Sequence, residues 1–423
     1  MAEAPRRSPA SQLLPLVLPG IVVGVASALI LIAVSALANA IEGVVWDTLP
    51  ANLGIASDSP GWILGVLTLT GLVVGLVVTF VPGHAGPDPA TTELAGPPLA
   101  VSLLPGLAVA LVITLASGVS LGPENPILAV NVGLAAAIGL RVMPRIPVPA
   151  WVGLAVSGTL GAMFGTPLGA ALLLSESPDT SGRPLWDRLF GPLIAASAGA
   201  LTMLVVGGES FALAIEPHGP PQLIDVVTGS LVAVAAALLG LAAIYAFPVV
   251  HAGFHRLGPP IVVLTAGGFA LGILGVIGGP ISLFKGLEQM KELTETYTDY
   301  APAGLALLAA LKLLAVVVAS GSGFRGGRIF PSVFAAVAFG LFVHTLVPQI
   351  PEAVALAASL VGVIVAVTRS GWLAIFMAEL MIGDPAILPV LAVVVLPAWL
   401  VVTGRPEMVV RVQPAAAARS SPE

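Results

Sequence analysis

Glu124 is the residue on which chemistry is most readily built. It stands in Gly122-Pro123-Glu124-Asn125-Pro126, and no other charged side chain occurs from Leu94 to Leu140. A carboxylate at bilayer depth costs about 2.5–3.5 kcal/mol or more, so it persists where it does work. At a helix start it can lie over free backbone N–H groups, where the helix dipole places roughly +0.5 charge. Such starts bind anions without a full cation. A carboxylate there is a tethered anion, displaceable by a permeating ion or by a proton. The alternative is a glutamate that only caps its own helix.

Other polar residues stand near similar breaks. His84 lies in the turn Val81-Pro82-Gly83-His84-Ala85-Gly86-Pro87, as a donor, an anion partner or a turn residue. Arg325 and Arg328 lie in Gly321–Pro331, where cations would raise local anion concentration; the Arg325 side chain is expected at the aqueous mouth. Glu176 and Glu379 each end an apolar stretch, Glu379 read as an anchor and Glu176 as a candidate proton carrier. Lys312, within an apolar run, is expected to pair internally or to face an aqueous vestibule.

Composition says what must position these groups. Of 423 residues, 57% are hydrophobic and 9% charged, whereas soluble domains carry roughly 25% charged residues. Charge-free stretches at 8–41, 59–87, 94–123, 146–175, 189–208, 226–255, 257–284, 329–351 and 385–404 reach or exceed the span length, which is about 20 residues. With shorter pieces at 125–140, 302–320 and 353–380, ten to fourteen embedded helices are expected, many broken by the 48 glycines and 38 prolines. The runs are continuous rather than alternating, so strands are not expected. The class is all-α, polytopic and embedded in a lipid bilayer. Lys285–Ala301 reads as a short surface helix.

Composition also excludes functions. Zero cysteines remove disulfides and thiolate metal sites. The five histidines read as too scattered for a zinc motif, so no metal and no cofactor are expected. A net charge of −6 without a basic tract gives no sign of nucleic acid. With no Ser–His–Asp order and no Walker loop, an enzyme is not expected. Arg6 and Arg7 precede an apolar run from Leu13 to Ala38 that ends in Ala38-Asn39-Ala40. That run is too long for a cleaved signal peptide, so a retained helix with a cytoplasmic N-terminus is expected, by default in the cell (inner) membrane.

The chain repeats itself. LASG at 115–118 and VASG at 318–321 stand 203 residues apart, as do Glu176 and Glu379, which close GTPLGAALLLSE and TRSGWLAIFMAE. Aligning Pro126 with Pro331 also aligns Gly122 with Gly327. The expected organisation is a tail at 1–12, one membrane domain at 13–408 made of repeats at about 13–206 and 225–408, and a tail at 409–423. Broken helices at matching positions of two repeats point to a transport site.

In order and spacing these loops resemble the CLC family of chloride channels and chloride/proton antiporters. The family's GSGIP, G[K/R]EGP and GxFxP loops are matched by GHAGP (Gly83–Pro87), GPENP (Gly122–Pro126) and GGRIFP (Gly326–Pro331). FGTPLGAALLLSE, AELMIGDPAILP and GRPEM (Gly404–Met408) agree in spacing, so the likeness spans about residues 60–408. It implies two inverted repeats, a homodimer and movement of a small inorganic anion. It implies Glu124 as the gate and an anion site drawn from Gly83, His84, Gly86, Gly122, Gly327, Arg328, Ile329 and Met408, the amides being those of Arg328 and Ile329. His84 replaces the family's serine, Met408 its tyrosine, and Ser177 its inner glutamate, leaving Glu176 as the nearest proton carrier. The resemblance thus leans to a channel or uniporter. The rivals are an anion/proton antiporter and a cation or organic-solute transporter.

Overall fold

The computed structural model describes residues 13–92, 96–176, 182–207 and 211–411. Among them the backbone is helical and no strand forms, as the unbroken apolar runs require. The first half contains α1 (Val17–Glu42), α2 (Pro60–Phe80), α3 (Leu104–Ala116), α4 (Glu124–Val142), α5 (Val148–Phe164), α6 (Pro167–Ser175) and α7 (Leu185–Val206). The second contains α8 (Leu223–His255), α9 (Pro260–Gly278), α10 (Leu287–Thr296), α11 (Pro302–Gly321), α12 (Ile329–Leu346), α13 (Glu352–Thr368), α14 (Gly371–Ile382) and α15 (Leu388–Val402). Among the described residues nine helices are long and apolar enough to cross a membrane, and four shorter apolar ones accompany them. The protein is an integral membrane protein.

Proline and glycine set the boundaries. Proline begins α2, α6, α9 and α11, where its missing N–H leaves no bond unmade. Gly165 and Gly383 end α5 and α14 at φ 68°, the left-handed conformation that closes a helix. The 17 residues of α13 span about 26 Å at 1.5 Å per residue, less than the ~30 Å hydrocarbon core. It is buried from Ala353 to Ala366, so protein rather than lipid surrounds it. The surface helix expected within 285–301 is α10, which buries Leu287, Met290 and Leu293 at helical spacing.

Setting aside α10 and the short helix Leu49–Leu53, the helices of the two halves correspond in order: α1 with α8, α2 with α9, and α3 to α7 with α11 to α15. Their packing corresponds too. The main partners of α1 are α3, α5 and α7, and those of α8 are α11, α13 and α15. Two equivalent pairs, α2 with α9 and α6 with α14, pack directly on each other. At the α2–α9 crossing, Gly71-x-x-x-Gly75 faces Gly268-x-x-x-Gly272. A methyl group on Gly71 would strike the Leu264 carbonyl, and one on Gly268 the Leu67 carbonyl. Small residues at this spacing bring membrane helices into backbone contact.

Candidate functional site

The third contact between equivalent residues lies at the middle of the chain's two broken segments. The loop before α4 and the loop before α12 meet in an antiparallel bridge between Gly122 and Gly327. Gly122 N–H donates to Gly327 O at 2.9 Å, and Gly327 N–H donates to Gly122 O at 2.6 Å. Both helix starts are thereby fixed side by side. The Glu124 carboxylate rests against both glycines, and a Cβ on either would collide with it.

Glu124 is 1% exposed. Its Oε1 accepts the Phe330 N–H at 2.7 Å, while Oε2 has no hydrogen-bond partner among the described residues. Phe330 is the second residue of α12, and Pro331 has no N–H to offer. The carboxylate of one repeat therefore sits on the last available amide at the other repeat's helix start, which is more than capping its own helix. Lys285 and Arg328 add positive potential at Glu124.

Cavities flank this junction. One, of about 460 Å³, is lined by Asn125, Pro126, Gly326, Arg325 and Thr92. The other, of about 650 Å³, is lined by Pro123, Phe330, Phe211, Lys285 and Asn39. The residue before Glu124 faces one cavity and the residue after it faces the other.

Arg325 does not lie at an aqueous mouth. It is 5% exposed and donates to the carbonyls of Ala85 (2.9 Å), Gly323 (2.9 Å), His84 (3.0 Å) and Gly86 (3.1 Å). The carbonyls of His84, Ala85 and Gly86 converge because Gly83, His84, Ala85 and Gly86 all have positive φ, between 51° and 84°. Two are not glycine, and left-handed backbone costs such residues roughly 1–2 kcal/mol each; the guanidinium fork offsets this. The same turn uses the His84 amide on Val81 O and the Gly86 amide on Gly83 O. The His84 ring lies 2.9 Å from Val78 O. This loop therefore turns its carbonyls inward onto a cation, and it reaches the site through Arg325.

The Arg328 side chain is also structural. It donates to Met408 O and, at 3.1 Å, to Thr92 O, and it lies over the Phe247 ring at 5.6 Å. Met408 is 2% exposed and contributes its carbonyl rather than a side-chain donor. Ile329 opens α12, so the Arg328 and Ile329 amides belong to the helix start. Glu176 lies outside this cluster. It is exposed, and its Oε1 accepts the Trp372 N–H at 2.7 Å, at the start of α14. Ser177 is outside the described residues. Lys312 pairs internally, its ammonium donating to Ser282 O, Leu283 O and Phe284 O, each at 2.8 Å. That fixes the turn carrying Lys285.

Phe330 and Lys285 were not singled out by sequence reasoning. Phe330 was readable as the last N–H before a proline in a helix start. Lys285 was readable as the charge that ends the run 257–284.

Residues 70–403 match the family described as voltage gated chloride channel. That match covers more than half of the chain. The chain belongs to the CLC family. CLC proteins are transporters and channels that move anions, so this member acts in transport rather than catalysis. It is 50% identical over 402 residues to the "Putative ion-transport protein YfeO" of Escherichia coli (strain 55989 / EAEC), covering 95% of this chain and 96% of the relative. The relative from Escherichia coli O6:H1 is also 50% identical, over 405 residues, covering 96% and 97%. Two solved CLC structures share the fold. A slow cyanobacterial Cl−/H+ antiporter superposes with TM-score 0.78 at 19% identity, covering 92% of this chain and 94% of that one. A CLC-type fluoride/proton antiporter superposes with TM-score 0.75 at 18% identity, covering 92% and 95%. The polytopic all-α fold expected from the sequence is this CLC fold.

Proposed function

We propose that this CLC protein passes a small inorganic anion, chloride-like in size and charge, along a route blocked by Glu124. The observation that carries the reading is the Glu124 Oε1–Phe330 N–H bond, made at the meeting of two helix starts between two cavities. A permeating anion competes with the carboxylate for the Phe330 amide and draws on the neighbouring amides of Arg328 and Ile329 at the same helix start. The helix dipoles, Lys285 and Arg328 favour negative charge there. A cation would find the Glu124 carboxylate as its acceptor here, whereas the helix starts around it offer donors.

Uncoupled flux is the preferred form. The proton carrier that the family resemblance puts at position 177 is a serine here, and Glu176 is engaged as a cap on α14. The protein works as a homodimer in the cell (inner) membrane with its N-terminus cytoplasmic, and each subunit forms its own pathway.

The test is anion efflux from proteoliposomes loaded with chloride, fluoride or nitrate, for wild type and Glu124→Gln, with a potassium shunt and with or without a protonophore. The expected result is efflux that requires only the shunt and changes in Glu124→Gln. Proton movement coupled to chloride release would replace the uncoupled form with an antiporter. Absence of flux for every anion would overturn the reading.

A further inference from the structure

Asp88 lies just beyond the left-handed turn, and α8 brings two histidines to it. His251 and His255 stand four residues apart on the last turns of α8, their rings stacked with centroids 3.9 Å apart. His251 Nε2 lies 2.8 Å from Asp88 Oδ2, and His255 Nε2 lies 3.4 Å from the same oxygen. The three donor atoms fall within 4.8 Å of one another, and among the described residues they form the group able to hold a metal ion. Sequence reading counted these histidines as scattered; the i, i+4 spacing in His251-Ala-Gly-Phe-His255 was the signal, and Asp88 joins from 163 residues away.

The second argument comes from the tautomer of His255. Its Nδ1 lies 2.9 Å from His251 O, and a carbonyl oxygen only accepts, so Nδ1 carries the hydrogen. In the neutral ring Nε2 then turns its lone pair toward a carboxylate oxygen. Two acceptors facing each other are stable with a proton or a metal ion between them, and with His251 Nε2 at the same oxygen the set is that of a metal ion. Metal-bound histidines commonly have this arrangement, with one ring nitrogen on the ion and the other donating to a carbonyl. Asp88 is oriented likewise, because its Oδ1 accepts the Ala90 N–H at 3.0 Å. Around a tetrahedral ion with ligand bonds of ~2.0–2.2 Å, donor atoms stand roughly 3.3–3.6 Å apart. The 3.4 Å separation already fits, and the 2.8 Å one needs a small opening.

The place suits an ion drawn from water. The 33 residues of α8 extend about 50 Å, beyond a ~30 Å hydrocarbon core, so its last turn reaches the interface. His255 is 42% and Asp88 28% exposed.

We infer that Asp88, His251 and His255 form a binding site for a divalent transition-metal ion of the zinc class, with water completing the shell. The site is independent of the anion-transport reading. A bound ion ties the end of α8 to the loop that Arg325 holds, and so pins the turn after α2 to the second repeat.

Co2+ and Zn2+ are the probes, used with the full chain in detergent after treatment with chelator. Wild type is expected to bind one Co2+ per chain with the visible absorption of a tetrahedral nitrogen–oxygen site, and Zn2+ is expected to displace it. His255→Ala, at an exposed helix end, and Asp88→Asn are each expected to weaken binding by more than the 10–100-fold typical of losing an outer-shell partner. Thermal melting without metal reports whether each variant is folded. Failure of wild type to bind either ion, or equal binding in folded His255→Ala, overturns the site.

Discussion

Gly122 and Gly327, equivalent residues of two repeats, exchange both of their main-chain hydrogen bonds. The halves thus meet on the same residue at the point where each leaves its loop and begins a helix. The Glu124 carboxylate occupies the space that side chains on those glycines would fill.

Gly327→Ala therefore reports on the proposed gate without changing the carboxylate itself. The new methyl displaces the carboxylate from the Phe330 amide, at an overpacking cost of about 1–3 kcal/mol. Anion efflux from proteoliposomes is expected to shift in the same direction as in Glu124→Gln. Wild-type flux in Gly327→Ala, beside altered flux in Glu124→Gln, would contradict a gate seated on the glycine bridge.

Arg325→Met keeps an unbranched apolar stem and removes the guanidinium donors. The carbonyls of His84, Ala85, Gly86 and Gly323 lose a shared partner, and an unsatisfied buried acceptor costs about 1–3 kcal/mol. A fall in the detergent melting midpoint is expected, together with faster proteolysis at Gly83–Pro87. Unchanged melting would mean that the left-handed turn holds itself.

The α2–α9 crossing supplies its own control. Gly268→Leu places a side chain where backbone already lies, whereas nothing approaches a Cβ on Gly61 or Gly65 of α2 within 4 Å. Folded yield and melting midpoint are expected to collapse for Gly268→Leu, and Gly61→Ala is expected to change stability by less than about 1 kcal/mol. Equal tolerance at both positions would refute close packing there.

Glu176→Gln separates a cap from a proton carrier. As a cap the glutamate adds a charge-assisted bond at the start of α14, worth about 0.5–2 kcal/mol, so a modest loss of stability and unchanged flux are expected. Loss of proton movement in this variant, with anion flux retained, would assign it to proton transfer.

The class, the number of embedded helices, the surface helix and the repeat were legible because long apolar runs, prolines and glycines act locally. The pairing of Gly122 with Gly327 was legible as an alignment, since repeated segments related by two-fold symmetry meet on equivalent residues. The partners of the arginines were not legible. A cation in a loop is attracted equally by water, a carboxylate or a set of carbonyls, and only the left-handed run at Gly83–Gly86 decides for the last. Asp88 and the α8 histidines escaped for a related reason, because one ligand comes from the other half of the sequence.

The alignment that pairs the bridge glycines also pairs Glu124 with Ile329. A scaffold of two upside-down copies offers the same backbone to both faces of the membrane, so by itself it has no preferred sense. Here an ionisable group stands on one copy and a hydrocarbon on the other. That inequality gives the proposed pathway a sense, and moving the carboxylate from position 124 to position 329 is expected to change any rectification it shows.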